Sequence, residues 1–192
     1  GLTQVSGFLE GEDAISTMNA FRAMGVRIDG PSGGEVAVHG VGMRGLRAPN
    51  GPIDCGNSGT SMRLLSGLLS GQSFACELIG DASLMKRPMR RIAEPLARMG
   101  AQIATGAHGR PPVRITPAAA LRGMDYDMPV ASAQVKSALL LAGLYAQGRT
   151  CVREPAPTRD HSERMLRAFG YRVDVDGSQV CLEGGGSLRA AP

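Results

Sequence analysis

Thr17–Asp29 reads TMNAFRAMGVRID, and the same design returns at Glu94–Ala104 (EPLARMGAQIA) and at Arg164–Asp174 (RMLRAFGYRVD). Each stretch is the end of an amphipathic helix, then a glycine, then a short strand. Gly25, Gly100 and Gly170 stop the three helices and recur at intervals of 75 and 70 residues. Phe21, Leu96 or Leu166 stands four residues before the glycine, Met24, Met99 or Phe169 one before it, and Ile28, Ile103 or Val173 three after it. The first two positions share a helix face, and the residues one and three past the glycine alternate as in a strand. Glycine just beyond a helix accepts the left-handed backbone conformation that ends it. Internal repetition is therefore the organising feature of the chain.

Each glycine leads into a hairpin signal: VRID–GPSGG–EVAVHG, then QIA–TGAHGRPP–VRIT, then YRVDV–DG–SQVCLEG, with Asp176-Gly177 as a type I′ turn. A second repeated feature lies upstream. Arg63–Gly71 (RLLSGLLSG) matches Leu139–Gly148 (LLLAGLYAQG), both apolar nearly all round and so expected as buried helices. Strand-like runs follow at Ser73–Ile79 and Thr150–Arg153, and a short strand is expected before the second buried helix at Tyr126–Val130. One unit thus reads βαβαββ over about 70 residues. The fold class is α/β in repeated units, and 1–192 is expected as a single domain: a partial repeat over about 1–45, a second over 46–118 and a third over 119–192. Gly1–Val5 aligns with the strand that follows a buried helix, so a preceding segment of roughly 40–50 residues is expected to be missing, the alternative being a degenerate first repeat.

Composition bounds the function. Of 192 residues 43% are hydrophobic, 20% charged and 4% aromatic, with no Trp, so the core is expected to be aliphatic, with ten Met helping to fill it. Three Tyr and four Phe are few for a base-stacking surface, and no nucleic-acid partner is expected. The net charge of +4 suits small anionic ligands. The longest apolar run, Ser137–Ala146, is too short for a membrane span, and no basic region followed by an apolar run opens the chain, so a cytoplasmic location without membrane contact is expected. Cys55, Cys76, Cys151 and Cys181 form no CxxC and read as reduced core residues, neither a metal set nor disulfides.

Four segments can carry chemistry. Asn57-Ser58-Gly59-Thr60-Ser61-Met62-Arg63 opens a buried helix with glycines and small polar residues, which makes either an ordinary N-cap or an anion site. Lys86-Arg87-Pro88-Met89-Arg90-Arg91 opens an amphipathic helix, with Pro88 expected at its first position. Four cations there oppose the helix dipole, which fits a carboxylate or phosphate ligand; the alternative is a solvated basic face with Arg90 or Arg91 paired to Glu94. Ser132-Ala133-Gln134-Val135-Lys136-Ser137 opens the next buried helix at the position equivalent to Asn57–Arg63. Two anion-friendly helix ends facing one mouth would hold a ligand with two anionic groups. A Gln and a Lys beside LLLAGL are not explained by packing. Arg159-Asp160-His161-Ser162-Glu163 opens the third amphipathic helix. Asp160 and Glu163 have capping-box spacing, His161 reads as a helix-start histidine, and Arg159 is a further cation beside a helix N-terminus.

DCGNSGTSMRLL, SLMKRPMRR, SAQVKSALLLAGL and TRDHSERML, in this order, resemble the 5-enolpyruvylshikimate-3-phosphate synthase family, and GFLEGEDAISTMNAFRAMG resembles its region after the first helix. The resemblance spans the whole chain and a little under half of a typical member. It implies a two-domain fold with three βαβαββ units per domain around a pseudo-threefold axis. The chain would be most of the N-terminal domain, with the first unit incomplete and the C-terminal domain missing. It implies transfer of the enolpyruvyl group of phosphoenolpyruvate to the 5-hydroxyl of shikimate 3-phosphate, in aromatic amino-acid biosynthesis, in a cleft between domains. By motif, Asn57, Gly59 and Thr60 would line the phosphoenolpyruvate side and Arg87 would clamp that substrate. Ser132 and Ala133 would meet the shikimate phosphate, Gln134 would lie between the substrates, and Arg159 would match a phosphate-binding Arg of members with an RDH motif. Gly59 matches the glycine against which the herbicide glyphosate packs.

No cofactor and no metal are implied. The general acid and base groups, like the family's N-terminal Lys-Ser…Arg motif, would lie outside this sequence, so no catalytic residue is assigned within it and the chain alone is expected to be inactive. The full-length protein is expected to be a monomer and the shorter chain to self-associate through uncovered apolar surface. The nearest alternative is the UDP-N-acetylglucosamine enolpyruvyl transferase family, which places a reactive Cys on a loop near its phosphoenolpyruvate site; Cys76 and Cys151 fall in strand-like runs instead. A non-catalytic binding domain of the same fold is the alternative from another class.

Overall fold

The computed structural model describes residues 1–189; residues 190–192, which the sequence reading assigns to the third repeat, lie outside the described residues. The first unit holds β1 (Leu2–Val5), α1 (Glu12–Ala23), β2 (Arg27–Ser32) and β3 (Glu35–His39). The second holds β4 (Ile53–Asp54), α2 (Gly59–Ser70), β5 (Cys76–Ile79), α3 (Arg90–Arg98), β6 (Gln102–Thr105) and β7 (Val113–Thr116). The third holds β8 (Asp125–Asp127), α4 (Ala133–Gly143), β9 (Arg149–Arg153), α5 (His161–Ala168), β10 (Asp174–Asp176) and β11 (Gln179–Glu183).

The two complete units form sheets of one design, β4-β5-β7-β6 and β8-β9-β11-β10. In each the first pair is parallel and the other two are antiparallel. The first unit makes β1-β3-β2, the same order without the outer parallel strand. Parallel neighbours need a crossover, and the buried helices α2 and α4 supply it.

Those two helices are the centre of the molecule. Met62, Leu65 and Leu69 of α2 pack with Met24, Leu78, Val113 and Ile115, while Val135, Ala138, Leu139 and Ala142 of α4 pack with Ile92, Leu96 and Val152. The core is aliphatic and Met-rich, as the composition implies. Buried Ser66 and Ser70 return their hydroxyls to the carbonyls of Met62 and Ser66 at 2.7 and 2.8 Å, so neither is left unpaired. α2 and α4 touch backbone to backbone: a Cβ at Gly67 would collide with the carbonyl of Ala138. That close crossing brings together the N-terminal ends of helices that begin 74 residues apart in sequence.

Four local expectations are corrected. α3 begins at Arg90, not at Pro88. Arg87, before a proline, is extended at φ −78° and ψ 142°, and the Met89 N–H donates to the Gly109 carbonyl at 2.7 Å, so the chain enters the helix two residues later. Asp176 pairs with Gln179, which makes Gly177 and Ser178 the turning residues; only Gly177 (φ 55°) has positive φ, and type I′ needs two. The capping box is absent: Asp160 makes no side-chain cap, and Glu163 is buried facing inward. Finally, the cysteines are not all reduced. Cys151 and Cys181 form a disulfide, because the β9–β11 register sets them directly opposite with Cα atoms 4.1 Å apart. Cys55 and Cys76 are free. Burial, helped by Asp54, pushes the Cys55 thiol up to about 12, and burial alone pushes Cys76 to about 11.

Candidate substrate site

The N-terminal ends of α2 and α4 and the loop before α3 meet in one polar cluster. Ser58 caps α2 by accepting the Ser61 N–H at 3.1 Å. Asn57, just outside the cap, uses both ends of its carboxamide. Its Nδ2 donates to Asp81 Oδ2 at 2.6 Å, and its Oδ1 accepts from Arg87 Nη2 at 2.6 Å. Asp81 also accepts the Leu84 N–H at 2.7 Å. The Asn57 hydrogen bond, then those from the Leu84 and Ser83 N–H groups, hold its carboxyl below the ordinary range, so it stays a fixed anion that orients Asn57. On the opposite side Gln134, in the first turn of α4, donates from Nε2 to Thr60 Oγ1 at 2.7 Å and accepts from Arg63 Nη1. Arg63 Nη2 reaches the Pro88 carbonyl at 3.2 Å. Gly59 lies beneath both guanidinium groups: a Cβ there would come within 3.1 Å of Arg63 Nη1 and 3.2 Å of Arg87 Nη1.

Of the residues singled out around the two helix ends, Asn57 bonds Arg87, Gln134 bonds Thr60, and Gly59 lies beneath Arg87 and the Arg63 to which Gln134 is also bonded. Ser132 is the N-cap of α4, accepting the Val135 N–H at 3.3 Å, and Ala133 is its first residue. The first-turn N–H groups of that helix have no intrahelical acceptor. Arg159 is exposed and, among the described residues, makes no hydrogen bond or ion pair with the cluster. It lies on the loop leading to α5, whose start is fastened to α4 by Ser162 Oγ donating to Ser137 Oγ at 2.7 Å. His161 is exposed at the start of α5. Of the other cations, Arg90 pairs loosely with Glu94 at 3.7 Å.

Arginines outnumber carboxylates around the cluster. Among the described residues Arg63, Arg87 and Arg91 meet no carboxylate within salt-bridge distance. Burial, then the charges of Arg87 and Arg91, push Arg63 down from its ordinary value. Two guanidinium groups crowded on one glycine repel each other, and a bound carboxylate or phosphate relieves that repulsion.

The sequence reading gave Arg63 no role of its own and, having singled out the Lys of the α4 start, missed the buried ion cluster around it. The signal for Arg63 was present: a lone cation four residues after Gly59, on the same helix face, heading an apolar helix. The ion cluster centres on Lys136, only 1% exposed, whose Nζ meets Glu154 Oε2 at 2.9 Å and Glu163 Oε1 at 2.5 Å. Burial pushes the Lys136 ammonium down, but the two carboxylates more than offset this and leave it raised. No short-range spacing joins residues 136, 154 and 163.

Repeated βαβαββ units, with cations and small polar turns gathered where two buried helices begin, define one domain of the enolpyruvyl transferase fold. The chain belongs to the EPSP synthase (3-phosphoshikimate 1-carboxyvinyltransferase) family, whose sequence model matches residues 1–191. It is 66% identical over 189 residues to the 3-phosphoshikimate 1-carboxyvinyltransferase of Alkalilimnicola ehrlichii, covering 98% of this chain and 42% of that protein. It is 64% identical over 190 residues to the enzyme of the same name from Methylococcus capsulatus, covering 99% of this chain and 44% of that protein. The solved EPSP synthase from Acinetobacter baumannii superposes with a TM-score of 0.97 at 62% identity, covering all of this chain and 44% of that one. The chain thus spans under half the length of the relatives it matches. Among the described residues no helix is long and apolar enough to cross a membrane.

Proposed function

We propose that the chain forms the substrate-gathering half of an enzyme that transfers the enolpyruvyl group of phosphoenolpyruvate to the 5-hydroxyl of shikimate 3-phosphate. Family membership supports the reaction, and one observation supports the placement of the site: Arg87 bonded to Asn57, and Gln134 bonded to Thr60, across the junction of two helix ends. Phosphoenolpyruvate carries a carboxylate and a phosphate. Arg87, with Arg63 beside it, offers the planar donor fork that matches such oxygens. The free N–H groups at the head of α4, the Ser132 hydroxyl and Arg159 take the phosphate of shikimate 3-phosphate. Gln134 has a foot on each side and sets the distance between the substrates.

In the reaction the 5-hydroxyl gives up its proton as its oxygen bonds to C2 of phosphoenolpyruvate, and C3 gains a proton as the C2–C3 double bond opens. The tetrahedral adduct then loses a C3 proton and phosphate, which restores the double bond. Those proton transfers are assigned to groups outside this sequence. The contribution of this half is positioning and charge neutralisation. Neither free cysteine offers a thiolate near neutral pH, since both thiols are pushed up by burial, which disfavours the cysteine-bearing relative. A cytoplasmic location goes with this reading.

Arg87→Ala and Gln134→Ala, compared with the parent by calorimetric titration of both substrates into the full-length protein, test the site. Arg87→Ala is expected to weaken phosphoenolpyruvate binding by about 10- to 100-fold, as for loss of a charged hydrogen bond. Gln134→Ala is expected to weaken both ligands. Parent-like affinities in both variants would refute the assignment.

A further inference from the structure

The loop that carries Arg159 is fastened at both ends to a single residue of α4. At its start Glu154, just past β9, puts Oε2 on Lys136 at 2.9 Å, and its Oε1 accepts the Thr158 hydroxyl. The Glu154 N–H also donates to the Ser178 carbonyl at 2.9 Å, which fixes the loop to the β10–β11 turn. At its end Glu163, in the first turn of α5, puts Oε1 on the same Lys136 ammonium, and Ser162 bonds Ser137 one residue further along α4. Arg159 therefore lies between two tied positions, Thr158 and Ser162, in a loop with three prolines or small residues and no secondary structure of its own.

Stability alone does not account for this arrangement. One ammonium and two carboxylates are taken out of water, apolar side chains in place of all three would fill the space without that desolvation cost, and Glu163 Oε2 has no partner among the described residues. What the cluster supplies is position: a lysine one turn into the helix that Ser132 caps holds both ends of the loop bearing Arg159.

We propose that Lys136 is a positioning residue, which through Glu154 and Glu163 holds the 155–160 loop against the first turn of α4 so that Arg159 is kept at the phosphate-binding helix end. This rests on the reading of Ser132, Ala133 and Arg159 as the phosphate side. The effect acts on one ligand only: shikimate 3-phosphate depends on the loop, and phosphoenolpyruvate at Arg87 does not.

The test is shikimate 3-phosphate affinity in the full-length protein by calorimetry, for Thr158→Val, Lys136→Met, Arg159→Ala and the two double variants with Arg159→Ala. Thr158→Val cuts one tie without stranding a buried charge, so it is the variant that keeps the fold. It is expected to weaken shikimate 3-phosphate about ten-fold, a size typical of coupling between residues that act through one another. Lys136→Met is expected to weaken it at least as much, with phosphoenolpyruvate affinity unchanged. In the Arg159→Ala background neither substitution should weaken binding further. Full additivity, or parent-like affinity in folded Thr158→Val, would overturn the proposal while leaving the site intact. Parent-like affinity in Arg159→Ala itself would remove the phosphate reading and the positioning role with it.

Discussion

Gly59 shows what a single residue decides. The atoms that a Cβ there would crowd, Arg63 Nη1 and Arg87 Nη1, are the far ends of flexible side chains. They yield by a few tenths of an ångström, and alanine at a first helical position is favoured over glycine by up to about 1 kcal/mol. Gly59→Ala is therefore expected to fold with parent-like or slightly raised thermal stability. It should raise the KM for phosphoenolpyruvate about ten-fold, the size of one displaced charged contact. A parent-like KM would mean that the two guanidinium groups do not hold that substrate. At this scale the sequence was informative where chemistry and local position coincide. Asn57, Arg87, Ser132 and Gln134 are polar residues at or just before helix starts, and the structure gathers them there. Glu163 was misread because the capping-box spacing also suits a side chain turned inward, and only the partner at Lys136 decides between the two.

The pair α2 and α4 holds the site at the scale of elements. Their contact at Gly67 is against the Ala138 carbonyl, part of a helix backbone that has no room to move. Gly67→Ala is expected to cost about 1–3 kcal/mol or more, as overpacking in a close helix crossing does. It should read as a fall in denaturation midpoint in urea and, because the helix ends shift, as weaker binding of both substrates. Unchanged stability would show that the helices do not meet at that point. Helices and hairpins were legible because they rest on periodicity and on glycines with positive φ, such as Gly25, Gly100 and Gly170. Element ends were less so. The two-residue strand β4 is too short for a pattern, and Arg87 before Pro88 moved the start of α3. The Cys151–Cys181 bond follows from register across β9 and β11, which no spacing of cysteines encodes.

At the scale of the molecule the site is a product of repetition. Equivalent helices in successive units start at equivalent places, and packing the units side by side brings two separate polar turns into contact, Gln134 on Thr60. That is why the sequence motifs, far apart along the chain, come together, beside three arginines that meet no carboxylate within salt-bridge distance among the described residues. The most direct measurement is a structure of the full-length protein with shikimate 3-phosphate and phosphoenolpyruvate bound. The account predicts the shikimate phosphate on Ser132, the Ala133 N–H and Arg159, the phosphoenolpyruvate oxygens on Arg87, and Gln134 between them. Substrates bound away from the junction of α2 and α4 would contradict it.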